Sequence, residues 1–396
     1  MTRLLAYTET YARGGGNRYM VDCANALAPS FSEVMIATNK SGIFPEDIAH
    51  LSCPATTRQV SILTRASIQR HISWLPTTLR RMFLALLVLM EPFFFLSNML
   101  CFAFLIRRYK PSCILSCNGG YPAAQSCLAM IVAAKLCRVK SMLSIVSMPT
   151  PRRRYTYYYE KCVDRLVWRA ADAVIVNASA IAKALTTLRD MPTDAAHIVY
   201  NSIADIPSPP RVRAATEILT LGCVARLDAM KGVFFLFDAF AELAKEFPNL
   251  RLVLAGDGDA SAELKKRCTQ HGLEARVDFL GHYSGDIAAL LASFDIYVFP
   301  SLWEGFPYSI VEAMRSGCAI IATRVGGIPE AIENEKEGLL IVPASTADIT
   351  SALRRLIPDE ALRNRLGKGA YQRFTQHFSL QAMQTQLREV MNKTVT

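Results

Sequence analysis

FDIYVFPSLWEGFPYSIVEAMRSGCAIIATRVGGIPEAI, residues 294–332, reads as a strand, a turn, a helix and a second strand in succession. Residues 295–299, β-branched and aromatic after Asp295, stop at Pro300 and Ser301, Gly305, Phe306 and Pro307 make the turn, a helix starts near Tyr308 and Ser309, and residues 318–323 return as an apolar run. Gly and Pro close the first strand because neither sustains a ladder or a helix interior. Units of this kind lay their strands parallel, with the helix as the crossover.

The same alternation continues outward from this unit. Runs at 217–225, 250–255, 276–280 and 338–342 surround it, and runs at 3–8, 33–38, 112–117, 141–147 and 172–177 fill the first half, with helix-length segments between them. A chain of 396 residues exceeds what one hydrophobic core organises. The expected fold class is therefore α/β, with two Rossmann-like doubly wound parallel-sheet domains facing each other across a cleft lined by strand C-termini. Three prolines in IPSPPRVR, residues 206–213, disfavour both helix and central strand and mark a hinge. Domains are expected at 1–205 and 206–375, with a C-terminal helix over 376–396 packing back on the first.

Charge is uneven: residues 1–200 hold 23 Lys and Arg against 11 Asp and Glu, and residues 201–396 hold 21 against 23. A basic first half attracts phosphates, whether on nucleic acid, lipid or acceptor. Nucleic acid is not expected as a partner, because the basic residues are not interleaved with exposed aromatics in a known module. The eleven Cys form no C-x-x-C pair, which fits a reducing cytoplasm, and the six His show no metal-ligand spacing. Residues 3–8 read as a strand, without the apolar core of a leader.

Residues 82–106 are apolar except for Glu91, Pro92, Ser97 and Asn98. Glu91 and Pro92 divide the run into pieces shorter than the roughly 20 residues a span requires, and basic residues flank both ends. Buried core helices and an apolar hairpin dipping into a bilayer both fit. Upstream, residues 58–81 mix five Arg with Ile, Leu and Trp, as an interfacial helix on anionic lipid does, although arginines on a core helix look similar.

Two features of the second half carry chemistry. Glu304 follows one strand and Glu312 lies about one turn into the next helix, so both can reach a ligand seated on that helix N-terminus, where free N–H groups and the dipole favour phosphate. Arg226 and Lys231 follow another strand in TLGCVARLDAMKG, residues 220–232, where two cations can clamp a diphosphate. Each feature also has a plain reading, as a dipole-favoured Glu or as solvated surface cations. In RGGGNRY, residues 13–19, the glycines permit close backbone approach, as a simple tight turn does too. Asp257, Gly258 and Asp259 spell D-x-D, but after an apolar strand they read as a turn, and no metal or other cofactor is expected.

On these residues the chain resembles the family-4 retaining glycosyltransferases of the GT-B superfamily, a group that includes enzymes of lipopolysaccharide, capsule and phosphoinositol-mannoside synthesis. The resemblance is carried by Glu304 to Glu312 with the EAMRSGCAII and GGIPE that follow, by VARLDAMKG, AGDGD, DFLGHYS and VYNSI, and by the glycines at 14–16. It implies a nucleoside-diphosphate sugar as donor. Arg226 and Lys231 would hold the diphosphate, Glu304 the transferred sugar and Glu312 the ribose. Backbone around Phe306, Pro307, Tyr308, Ser309 and Ile310 would meet sugar and phosphate, and Phe279, Leu280 and Gly281 would lie near the base. Asn201, Gly256 and Asp257 would complete the donor site, with Gly15 and Gly16 approaching from the opposite domain.

The acceptor implied is a glycan or a lipid-linked molecule, bound by a domain in peripheral contact with an anionic membrane at the inner face of the cell membrane. Many relatives place a His after the fifth strand, where this chain reads SIVSMPTPRRR at 144–154. Either Ser147 or the three arginines at 152–154 contact the substrate in its stead, or activity is altered. The rival readings are a nucleotide-sugar epimerase and a non-catalytic binding protein on the same fold.

Overall fold

Runs of Val, Ile and Leu that can be buried on both faces form the central strands, and helices cover them. The computed structural model describes residues 2–11, 15–40, 51, 53–72, 74, 76–205 and 218–395. Arg13 and Gly14 of the glycine turn, Leu75 of the basic segment and the proline-rich stretch 206–213 lie outside the described residues. The chain divides into two compact units, Met1–Tyr200 with Met383–Thr396, and Asn201–Ala382.

The first unit contains β1 (Arg3–Thr8), β2 (Glu33–Asn39), β3 (Ala55–Val60), β4 (Cys113–Asn118), β5 (Lys140–Ile145), β6 (Ala173–Val176) and β7 (Ala196–Ile198). They form one sheet in the order β3-β2-β1-β4-β5-β6-β7, every pair parallel. The second unit repeats the plan with β8 (Leu219–Val224), β9 (Leu250–Ala255), β10 (Val277–Gly281), β11 (Ile296–Phe299), β12 (Ala319–Thr323) and β13 (Leu339–Ile341), ordered β10-β9-β8-β11-β12-β13 and again parallel. In both sheets the winding reverses beside the first strand, which is the doubly wound order whose ligand crevice opens at the strand C-termini of the reversal. In the second unit Leu221, Phe237, Phe240, Leu252 and Val298 are fully buried between sheet and helices.

The apolar run of the first unit folds as two helices, Thr77–Leu89 and Glu91–Tyr109, bent by 57° at Met90. Pro92 in the first turn of the second helix accounts for the break, since it is accepted there and nowhere further in. No single helix among the described residues is long and apolar enough to cross a membrane. The second helix buries one face, Phe94, Phe95, Phe102, Leu105 and Ile106, and exposes Phe93, Leu96, Leu100 and Phe104 along the other. In the first helix only Leu87 and Val88 are buried, and Leu79, Met82, Phe83, Leu86 and Leu89 face solvent.

Candidate functional site

All six strands of the second sheet run in one direction, so the loops after β8, β9, β10, β11 and β12 share one edge. Arg226 and Lys231 follow β8, and Glu304 follows β11, the two strands between which the winding reverses. Lys231 sits in a 3-10 turn capped by Asp228, whose side chain accepts from the Lys231 N–H at 3.1 Å. The turn ends on Gly232, whose φ of +67° and close approach to the Pro300 carbonyl leave no room for a side chain. This joint brings the Lys231 ammonium onto Glu304, Nζ to Oε1 at 2.5 Å, with both side chains largely shielded from water. An ammonium carries three donors, so the pair does not exhaust it. Arg226 stands at the same edge with its side chain 72% exposed, paired with Asp228.

The helix Tyr308–Arg315 starts beside this pair after Pro307, and no side chain caps it. Its first turn thus points backbone donors toward the edge where Lys231 lies, an arrangement suited to phosphate oxygens. Glu312 is half-buried on this helix, close enough to Tyr297 to raise the phenol, whose pKa is pushed well up first of all by burial. Phe306, Pro307, Tyr308 and Ile310 are buried, so contact with a ligand through these positions falls to their backbone. Asn201 donates from Nδ2 to the Phe306 carbonyl at 2.5 Å and so latches the loop from behind.

Gly256, with φ +140°, packs against the Ala225 carbonyl. Asp257 accepts from the Ser261 hydroxyl and the Gly258 N–H, both at 2.8 Å, and these bonds hold its carboxyl below the usual range. Its carboxylate therefore shapes the turn before the helix Ser261–Gln270. Phe279 packs against the core with Lys265 over its ring, Leu280 is exposed, and Gly281 takes φ +62° at a register shift of the edge strand.

Four supporting residues escape sequence reasoning. Ser301, fully buried, donates to Glu304 Oε1 at 2.8 Å, and Thr323 holds the Ser301 carbonyl at 2.5 Å. Tyr297 Oη donates to the Val224 carbonyl at 3.2 Å and ties β11 to the end of β8. Gly326, with φ +53°, lies where a Cβ would stand 2.0 Å from the Glu304 carbonyl. Its signal in the sequence is the Gly pair of VGGIPE. Gly326→Ala is expected to displace the Glu304 loop and cost about 1–2 kcal/mol in backbone strain alone. Turnover should fall at least tenfold while the fold persists, a pairing that rates and a thermal melt on one preparation will check.

In the first unit Gly15 opens the helix Gly15–Leu27, and a Cβ at Gly16 would press on Gly119 at 3.3 Å and Val146 at 3.5 Å. Gly16 therefore lets this helix start close against the ends of β4 and β5. Of the three arginines after β5, Arg154 is exposed and the other two are engaged inside the unit. Arg152 is nearly buried on Asp164 at 2.7 Å, and Arg153 bonds Glu91 and Glu160, so both are committed within the unit. Asn118 caps its own loop, accepting from the Gly120 N–H at 2.9 Å.

Residues 210–373 match the family model described as "Glycosyl transferases group 1". Over these residues the chain is similar to the group 1 glycosyltransferases. The matched segment contains every residue of the edge just described except Asn201. Among curated relatives, the alpha-D-kanosaminyltransferase of Streptomyces kanamyceticus is 32% identical over 41% of this chain and 43% of its own. The sulfoquinovosyl transferase SQD2 of Arabidopsis thaliana is 28% identical over 72% of this chain and 57% of its own. The chain thus spans about half the length of these curated relatives. Among solved structures, Anabaena HepE in complex with UDP superposes with a TM-score of 0.77 at 20% identity, covering 99% of this chain and 100% of that one. The group 1 match and this likeness establish the GT-B fold.

Proposed function

We propose that the chain is a retaining, metal-independent glycosyltransferase, moving a sugar from a nucleoside-diphosphate donor to a glycan or lipid-linked acceptor in cell-envelope polysaccharide or glycolipid synthesis. The observation that carries this is the Lys231–Glu304 pair at the winding reversal, beside a helix N-terminus that no side chain caps. Lys231 and Arg226 take the diphosphate, Glu304 the hexose hydroxyls and Glu312 the ribose, since a carboxylate accepts two hydroxyls in a fixed fork. The bond from the anomeric carbon to the diphosphate breaks, the acceptor oxygen bonds the same face, and its proton passes to the departing phosphate. Cations fixed beside the leaving group favour the transition state over the intact donor. The solved relative that bound UDP supports the choice of donor class.

The acceptor side rests on the first unit. An exposed apolar surface such as that of residues 79–104 marks an interaction site, and Arg80, Arg81, Arg107 and Arg108 frame it with positive charge. We read it as a peripheral anchor on anionic lipid at the cytoplasmic face of the membrane.

Radiolabelled UDP- and GDP-sugars incubated with a membrane lipid extract provide the test. Label should enter the extract from at least one donor, and Glu304→Gln should remove about 99% of that rate. Release of free nucleotide without transfer would favour an epimerase or hydrolase instead.

A further inference from the structure

Two cavities of the first unit meet at one side chain. The inner one, about 200 Å³, lies beneath the start of the helix Glu91–Tyr109 and is lined by Glu9, Thr64, Glu91, Asn98, Gln125 and Arg153 among others. The outer one, about 610 Å³, is an apolar groove along the helix Thr77–Leu89, lined by Leu84, Ala85, Val88, Leu89 and Tyr155. Arg65 borders both.

The polar groups of the inner cavity are unequally satisfied. Glu91 is buried and already receives two N–H groups of Arg153 and the Gln125 amide at 3.3 Å. Arg65 reaches the same carboxylate only at 3.4 Å and keeps its side chain 42% exposed. Arg65 is thus a second cation on a carboxylate that has its partner, standing at the mouth between a chamber of mixed lining, with Phe94 and Phe95 beside the polar groups, and an apolar groove. Arg189 and Arg153 also line the chamber, which thus holds three guanidinium groups beside Glu91 and Glu9 in its wall. Burial pushes the Glu9 carboxyl up. Guanidinium groups at such a mouth recognise phosphate by parallel N–H bonds.

We propose that the two cavities are one site for an anionic amphiphile, its phosphate held by Arg65, its polar substituents in the inner chamber and its alkyl chain along Leu84, Val88 and Leu89. Charge and shape select this occupant: a free phosphate leaves the apolar groove empty, and a neutral detergent leaves Arg65 unused. The assignment rests on the reading that the acceptor is lipid-linked, and it gives that acceptor a seat in the first unit.

Calorimetry on the full chain tests it with dodecyl phosphate below its micellar concentration, inorganic phosphate, dodecyl maltoside and, in parallel, UDP and GDP. Dodecyl phosphate should bind at least tenfold more tightly than either inorganic phosphate or dodecyl maltoside. Arg65→Gln and Leu89→Asp, both at exposed positions, should each weaken it at least fivefold with nucleoside-diphosphate affinity and melting temperature unchanged. Equal affinity for inorganic phosphate would reduce the site to an anion hole, and equal affinity for dodecyl maltoside would reduce it to detergent adsorption. Either result overturns the proposal, as does indifference to both substitutions. Failure to bind dodecyl phosphate while a nucleoside diphosphate still binds sinks the pocket alone, whereas failure to bind both UDP and GDP sinks the donor reading.

Discussion

Lys231→Ala is expected to lower kcat by about 10²–10³-fold, the usual consequence of deleting one fixed donor aimed at developing negative charge. The ammonium is held by its turn and by Glu304 before any ligand arrives, so it needs little reorganisation when the diphosphate departs. Charge on the leaving group grows along the reaction, and the loss should therefore fall on kcat more than on the affinity for UDP. Lys231→Arg should restore only part of the rate, because the longer planar fork cannot occupy the same point between Glu304 and the Phe299 ring. Combining Lys231→Ala with Glu304→Gln should cost much less than the product of the two single losses, since the residues act as a unit. Initial rates and nucleotide calorimetry on the four proteins measure this. Fully multiplicative losses, or a single substitution leaving kcat within threefold of wild type, would remove Lys231 from the chemistry.

Most of the scaffold behind this pair was legible in the sequence because central parallel strands are buried on both faces and so read as continuous apolar runs. The strands left unread, β3 and β7, lie at the two edges of the first sheet. ATTRQV is largely exposed and AHI is only three residues long, and neither carries the burial that makes a run apolar. Lys231 and Glu304 were readable as residues that strands deliver to one edge, but their mutual contact spans 73 positions and needed coordinates. The same limit applies to Arg152 and Arg153. Sequence shows charge but not its partner, and Arg153 meets Glu91 across 62 positions. That contact also explains how a carboxylate sits inside an otherwise apolar run: it is paired within the fold and faces away from the exposed side of its helix.

Arg189→Met should destabilise the first unit by about 3–5 kcal/mol, because removing one member of a buried ionic group strands its partners. Arg189 is fully buried, donating to the Thr150 carbonyl at 2.8 Å and to Glu160 at 2.7 Å, with Asp164 at 3.6 Å and the Tyr121 ring beneath it. Methionine fills much of the volume but satisfies none of these acceptors. For a unit of this size each kcal/mol moves the melting temperature by about 2–4 °C, so a fall of about 6–20 °C is expected. Acid sensitivity supplies an independent reading. Burial pushes the Glu160 carboxyl up, but hydrogen bonds from Thr156, Arg153 and Arg189 outweigh it and leave the group below its ordinary value. Its contribution to stability is therefore complete above the ordinary Glu range and disappears as pH falls through the lower folded value. Asp164, raised chiefly by burial, works in the opposite sense, ionising against a penalty that Arg189 reduces. Without Arg189 the folded pKa of Glu160 rises, and the acid-unfolding midpoint should move to higher pH. Adding Glu160→Met should return part of the lost stability by removing a buried carboxylate that has lost one of its two cations, since Arg153 keeps Glu91 as its partner. A single variant melting within 3 °C of wild type, with an unshifted acid midpoint, would show that Arg189 fills space and does not hold the network together.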